Sequence, residues 1–362
     1  MMLSIDMNSV IAKYIIRFTL ITYTLVIPYS PHILTNDAFI WATRNNKIQL
    51  IKSFLMDPSD RVDPSADNNQ AVKWAIINGY DKVAVLLLAD PRVDPSAQDN
   101  YAIKVASKYG HDKVVALLLK DPRVDPSVDD NEAIRWASME GHDKVVALLL
   151  TDPSGRVDPS DNNNSAIRLA SRWGYDKVVA LLLKDSQVNP SNDNNYAIRR
   201  ASKKGYDKVV ALLLADPKGR VNPSTNNNEA ITVASRNGHD NVVALLLKDP
   251  RVDPSADDNY AIRIASFFGH DKVVALLLAD PRVNPSAYYN YAIKGASQNG
   301  YDKVVALLLA SGQVDPSAGN NHAIRLASED GYDKVVELLQ MDPRVSSLLI
   351  HSKKTCPIFL GL

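Results

Sequence analysis

Cysteine is almost missing from this chain of 362 residues; Cys356 is the only one. A single thiol closes no internal disulfide and builds no cysteine-based zinc site. It points to a reducing compartment, which makes a cytoplasmic location the expectation. An excess of either charge is missing too, since 41 Lys and Arg meet 41 Asp and Glu. No bulk field therefore recruits nucleic acid or an anionic membrane. The N-terminal apolar run FTLITYTLVIP (18–28) has 11 residues, too few to span a bilayer unless it extends back over Lys13 and Arg17. Residues 1–35 carry two readings: a helix capping the fold, or a signal or membrane anchor at residues 10–30. Also absent are a Gly-rich phosphate loop, a G-x-S-x-G and an H-E-x-x-H, so no catalytic site and no cofactor is expected.

What the chain has in abundance is itself. Marker glycines fall at Gly79, Gly110, Gly141, Gly174, Gly205, Gly238, Gly269, Gly300 and Gly331, spaced by 31 or 33 residues. The longer spacings follow from DPSGRVDPS (152–160) and DPKGRVNPS (216–224), which replace the usual DPRVDPS. An earlier copy carries Asn46 at the glycine position. Asparagine is the next-best residue there for a left-handed backbone. Ten copies result, between about residue 36 and residue 345.

Each copy predicts two short helices and a finger. In NYAIKVASKYGHDKVVALLLKDPRVDPS (100–127), Asn100 suits a helix N-cap and Ala102, Ile103 and Ala106 share one face. Gly110 ends this helix, Asp112 opens the next against the positive end of its dipole, and Pro122 stops it. Neither helix exceeds about ten residues, below the ~12–15 that an isolated helix needs for marginal stability. Stacking of copies is the stable solution. Lys52 and Ser53 in the first copy, and Glu337 and Gln340 in the last, replace apolar residues as solvent-facing caps require.

The phrase A-S-x-x-G-H-D-K-V-V-A-L-L-L resembles the A-A-x-x-G-H-x-x-V-V-x-L-L-L of ankyrin repeats, over about 310 of the 362 residues. The resemblance implies an all-α, ankyrin-type solenoid of about ten helix-turn-helix repeats in residues 36–345, preceded by the segment 1–35 and followed by the tail 346–362. Most copies are two residues shorter than the usual ~33. A tight proline-set turn is therefore expected in place of a full β-hairpin finger. The near-identical tandem style resembles ankyrin proteins of large DNA viruses of protists, which implies a role in host–pathogen interaction. The function implied is a monomeric scaffold that binds another protein, without nucleic acid or metal. Alternatives are a membrane-tethered receptor and a substrate adaptor for a ubiquitin ligase.

Several residue sets invite chemistry and read instead as structure. His111, His142, His239 and His270 alternate with Tyr80, Tyr175, Tyr206, Tyr301 and Tyr332 in one slot, which asks for a flat ring with a polar tip. One helix position holds Lys73, Lys104, Arg135, Arg168, Arg199, Arg263, Lys294 and Arg325. These form either an anion-binding stripe or pairs with finger aspartates such as Asp94, Asp125 and Asp253. The Asp-Pro-Ser and Asp-Asn-Asn tracts are turn and cap formers rather than calcium loops.

Variation between copies marks the rest. The pair before each glycine, the helix-opening slot and the finger residues before it all differ from copy to copy, and in ankyrin repeats the matching positions line the concave, partner-facing surface. Phe267 and Phe268, with Tyr288, Tyr289 and Tyr291 of the next copy, are expected to gather five aromatics there. Such exposed clusters characterise binding hot spots. Gly295 stands where other copies carry Trp, Val, Leu or Ile, and is expected to make room for a ring. Tyr260 extends this set, and Trp173 with Tyr196 forms a second candidate.

Overall fold

The computed structural model describes residues 36–57 and 61–345. The expected N-terminal segment (1–35) and C-terminal tail (346–362) lie outside that range. Among the described residues every regular element is a helix, twenty of them from Asn36–Arg44 to Asp333–Gln340, with no strand. The chain divides into two compact units between Asp158 and Pro159. The first unit runs from helix Asn36–Arg44 to Asp143–Leu150, and the second from Asp161–Trp173 to Asp333–Gln340. Within the described residues no helix is long and apolar enough to cross a membrane.

Within each unit the repeats are helix pairs, an opening helix and a shorter closing one. The closing helix Asp112–Leu118 buries Val114, Val115 and Leu118, one face at i, i+1 and i+4. Ala102, Ile103 and Ala106 of the opening helix meet them, and finger Val124 completes the repeat's buried set. Full burial of each Val, Ile or Leu contributes roughly 1.5–3 kcal/mol. Leu117 and Leu119, on the other faces, are only half-buried. At Lys52, Ser53, Glu337 and Gln340 the side chains are exposed, whereas the matching Val85, Leu86, Ala306 and Leu309 are half-buried.

The marker glycine is required twice over. Gly238 takes φ +73°, and a Cβ there would lie 2.6 Å from Nδ1 of His270 in the next repeat. The ring slot thus stacks on the glycine of its neighbour, and a tyrosine serves equally, as Tyr301 does over Gly269. The polar tip of the histidine ties the repeats together as well. His270 Nε2 bonds the carbonyl of Arg236 at 2.9 Å, and His142 bonds that of Lys108 at 2.9 Å. Asn46 adopts φ 53°, the left-handed conformation expected of it.

The finger motif D-P-R is an inter-repeat staple. Asp280 takes both ends of the Arg282 guanidinium, Nε at 2.9 Å and NH2 at 2.6 Å. The fork so fixed donates NH1 to the carbonyl of Val252, one repeat earlier, at 2.8 Å. Arg251 reaches Val221 at 2.8 Å and Arg344 reaches Val314 at 2.9 Å in the same manner. In the first unit Arg92 reaches Val62 at 3.0 Å.

Candidate interaction surface

Between finger and opening helix the backbone turns left-handed for three residues in a row. Gln98, Asp99 and Asn100 have φ of 55°, 51° and 58°, closed by a bond from Asn100 N–H to Ser96 O at 2.9 Å. Nine such triplets occur, at residues 67–69, 98–100, 129–131, 162–164, 193–195, 226–228, 257–259, 288–290 and 319–321. An L-residue in this conformation costs about 1–2 kcal/mol, least for Asn, Asp and Gly. The Asp-Asn-Asn tracts are therefore chosen for backbone tolerance. The Asp-Pro-Ser or Asn-Pro-Ser before each one sets a side-chain turn: Ser96 N–H and Oγ both donate to Asp94 Oδ1, at 2.9 and 2.7 Å, and Ser286 Oγ donates to Asn284 Oδ1 at 2.6 Å.

The third residue of every triplet is asparagine, and its role corrects the expected N-cap. Asn100 lacks the extended backbone that an N-cap requires. Its buried amide oxygen instead accepts the backbone N–H of Asp125, in the next finger, at 2.7 Å. Asn228 does the same for Asp253 (2.8 Å), Asn259 for Asn284 (2.7 Å) and Asn290 for Asp315 (2.7 Å).

The basic ladder is also structural: Arg168 (3.9 Å from Asp193) and Arg199 (2.7 Å from Glu229) pair with carboxylates of the next copy, though not with the finger aspartates Asp94, Asp125 and Asp253. Asp94, Asp125 and Asp253 are engaged by their own serines. The arginines cap the left-handed turns: Arg135 donates to Asp129 O (2.9 Å), Arg199 to Asn194 O (2.8 Å) and Arg263 to Asp257 O (2.9 Å). The lysines are too short for this; Lys73 meets Gln98 Oε1 at 3.0 Å and Lys104 pairs with Asp129.

The second unit brings the expected aromatics together. Phe267 stands edge-on to Phe268 (5.2 Å between centroids) and stacks on Tyr291 (6.5 Å). Tyr288 meets both Tyr289 (6.0 Å) and Tyr291 (6.1 Å). Beneath them Arg263 is buried, its guanidinium 4.5 Å from the Tyr288 ring, 5.2 Å from Tyr260 and 5.8 Å from Tyr291. In the sequence Arg263 is only a rung of the ladder; in the structure it ties Tyr260 into the cluster. Phe267 is the half-buried floor, and a Cβ on Gly295 would come within 3.3 Å of its Cδ2, so the glycine does make room for a ring. Phe268 (38% exposed), Tyr288 (56%) and Tyr289 (82%) face solvent.

Tyr288 and Tyr289 occupy the first two places of a left-handed triplet, at φ 52° and 59°. The other eight triplets place Asp, Asn, Gln or Gly there. Trp173 and Tyr196 make no ring contact among the described residues. Each instead lies under arginine: Trp173 under Arg172 at 5.5 Å, and Tyr196 under Arg168 (5.2 Å) and Arg200 (5.0 Å).

A feature of the first unit is not legible in the sequence. Two shallow hollows, of about 320 and 260 Å³, share Ile77 and Tyr101 as walls. Trp74 lines the first, and Val105, Tyr109 and Trp136 line the second. Trp74 and Trp136 hold the position that Gly295 holds elsewhere, so the signal was the variation at that slot. No group of three or more metal-type ligands gathers among the described residues.

A family model described as ankyrin repeats (3 copies) matches residues 100–194, 170–258 and 197–288. No curated protein matches the chain. Among solved structures, the crystal structure of the ankyrin repeat domain of Bcl-3, titled a unique member of the IkappaB protein family, is similar at 21% identity and a TM-score of 0.46. The similarity covers 57% of this chain and 97% of that one.

Proposed function

The chain belongs to the ankyrin repeat family, and from that premise we propose that it is a non-catalytic scaffold that binds another protein through its repeat-variable face. The anchor is the cluster Phe267, Phe268, Tyr288, Tyr289 and Tyr291, with Tyr260 beneath it and Trp173 and Tyr196 as lesser contacts. The proposed state is a cytoplasmic monomer with no cofactor.

The supporting observation is energetic. Tyr289 is 82% exposed and left-handed, at φ 59°. It gains little from packing and costs on the order of 1 kcal/mol relative to the asparagine or aspartate that other triplets use there. A residue that weakens its own fold while presenting a rigid ring to solvent is suited to a contact outside the chain. The stacked repeats hold the rings in place before binding, which lowers the entropic cost of association.

The test pairs stability with capture. Tyr289→Asn is expected to raise the unfolding free energy by on the order of 1 kcal/mol, and Phe268→Ala with Tyr289→Asn to abolish capture of a protein partner. A loss of stability in Tyr289→Asn makes the ring structural, and unchanged capture by the double variant removes the face from consideration. The tethered alternative is tested separately, by fractionating the chain with residues 1–35 intact.

A further inference from the structure

We propose that the first unit carries a second, chemically distinct site: the double hollow between Trp74 and Trp136 binds an extended acidic peptide through apolar side chains. It shares no residue with the aromatic cluster of the second unit.

The two hollows are open and at or below the lower end of small-molecule pockets. Neither encloses a ligand, yet the shared wall of Ile77 and Tyr101 sets them side by side. Adjacent open hollows lined by Trp74, Ile77, Val105 and Trp136 fit successive side chains of one extended chain, whose alternate residues point the same way. Trp74, Ile77 and Tyr109 are exposed, so this apolar lining faces solvent.

Charge gives the chemistry. The lining contributes Lys73, Lys104 and Lys108 against a single carboxylate, Glu132. Glu132 is already engaged, by Trp136 Nε1 at 2.8 Å and Lys104 Nζ at 3.5 Å. Among the described residues Lys73 bonds the neutral amide of Gln98, at 3.0 Å, and no carboxylate. Lys108 has no carboxylate partner among the described residues and lies 4.1 Å over the Trp136 ring. Arg44 extends the positive rim, 4.9 Å over Trp74. Positive charge without a carboxylate partner beside solvent-facing apolar walls calls for carboxylates from outside.

Lysine beside aromatic rings also suits single-stranded nucleic acid, and the same geometry argues against it. Base stacking needs a free ring face. Here Lys108 covers Trp136, Lys73 lies 5.8 Å over Tyr101 and Arg44 covers Trp74.

The experiment titrates the full chain into a fluorescent peptide that alternates phenylalanine with aspartate or glutamate. Saturable binding is expected, weakened by salt and lowered roughly ten-fold by Lys108→Glu. Lys108→Arg should retain it, and helicity of both variants should match the parent. A peptide with serine for phenylalanine, or lysine for the acids, should not bind. Equal binding of the lysine peptide, tighter binding of a thymidine oligonucleotide, or indifference to Lys108→Glu overturns the proposal. The second-unit variant Phe268→Ala with Tyr289→Asn should bind this peptide as the parent does, which keeps the two sites separable.

Discussion

Asn259 and Asn321 are a matched pair made by the repeat itself. Both sit third in a left-handed triplet at φ 59°, and both are 8% exposed. They differ in one bond: Asn259 accepts the N–H of Asn284, while the buried Oδ1 of Asn321 has no partner among the described residues. Alanine at either position carries the same left-handed penalty. The difference between the two variants therefore isolates one buried inter-repeat hydrogen bond, including the N–H left behind. Asn259→Ala is expected to cost about 1–2 kcal/mol more than Asn321→Ala in urea unfolding. Equal costs would mean that the third asparagine is chosen for its backbone alone.

At the scale of the element, the finger staple makes a graded prediction. Arg282→Gln copies the residue that the chain itself places at Gln313, where the D-P-R motif reads S-G-Q. It removes the bonds to Asp280 and the reach to Val252. The pair lies partly in solvent, so the expected loss is about 1 kcal/mol. Calorimetry of the variant checks it, and an unchanged transition would reduce the staple to a surface ion pair.

The same element shows where the sequence was legible. Helix pairs, marker glycines and the ring slot could be read because each is a demand repeated at fixed spacing, and the gap at Gly295 because it departs from that repetition. The finger could not. Three left-handed residues in succession have no periodic apolar signal, and Asp-Asn-Asn looks like any helix cap. The reach of Asn100 to Asp125 depends on a register between neighbours that only the stacked backbone supplies. For the same reason the carbonyls that Arg135 and Arg263 find are not legible in the sequence, because a carbonyl carries no residue identity. The Trp74–Trp136 groove stays hidden because large apolar residues on a helix usually mean core.

Over the whole molecule, the repetition of the finger makes acid a collective stress. The arginine beside each of Asp90, Asp121, Asp216, Asp249, Asp280 and Asp342 holds that carboxyl below its ordinary value of 3.8. A carboxyl depressed in the folded state contributes fully above its unfolded value and loses its contribution as pH falls through the folded one. Six groups therefore release their arginines in the same window, below about pH 4. Stability should be nearly insensitive to these groups at neutral pH, then fall steeply once that value is passed. Asp249→Asn with Asp280→Asn tests the cause. The double variant should start less stable at pH 7 and lose less on acidification, so that the two curves converge once the carboxyls are protonated in the folded state. Two of the six groups are then silent while four still titrate, and the variant's slope should shrink without vanishing. Parallel curves would place the acid sensitivity elsewhere, in carboxylates that make no staple.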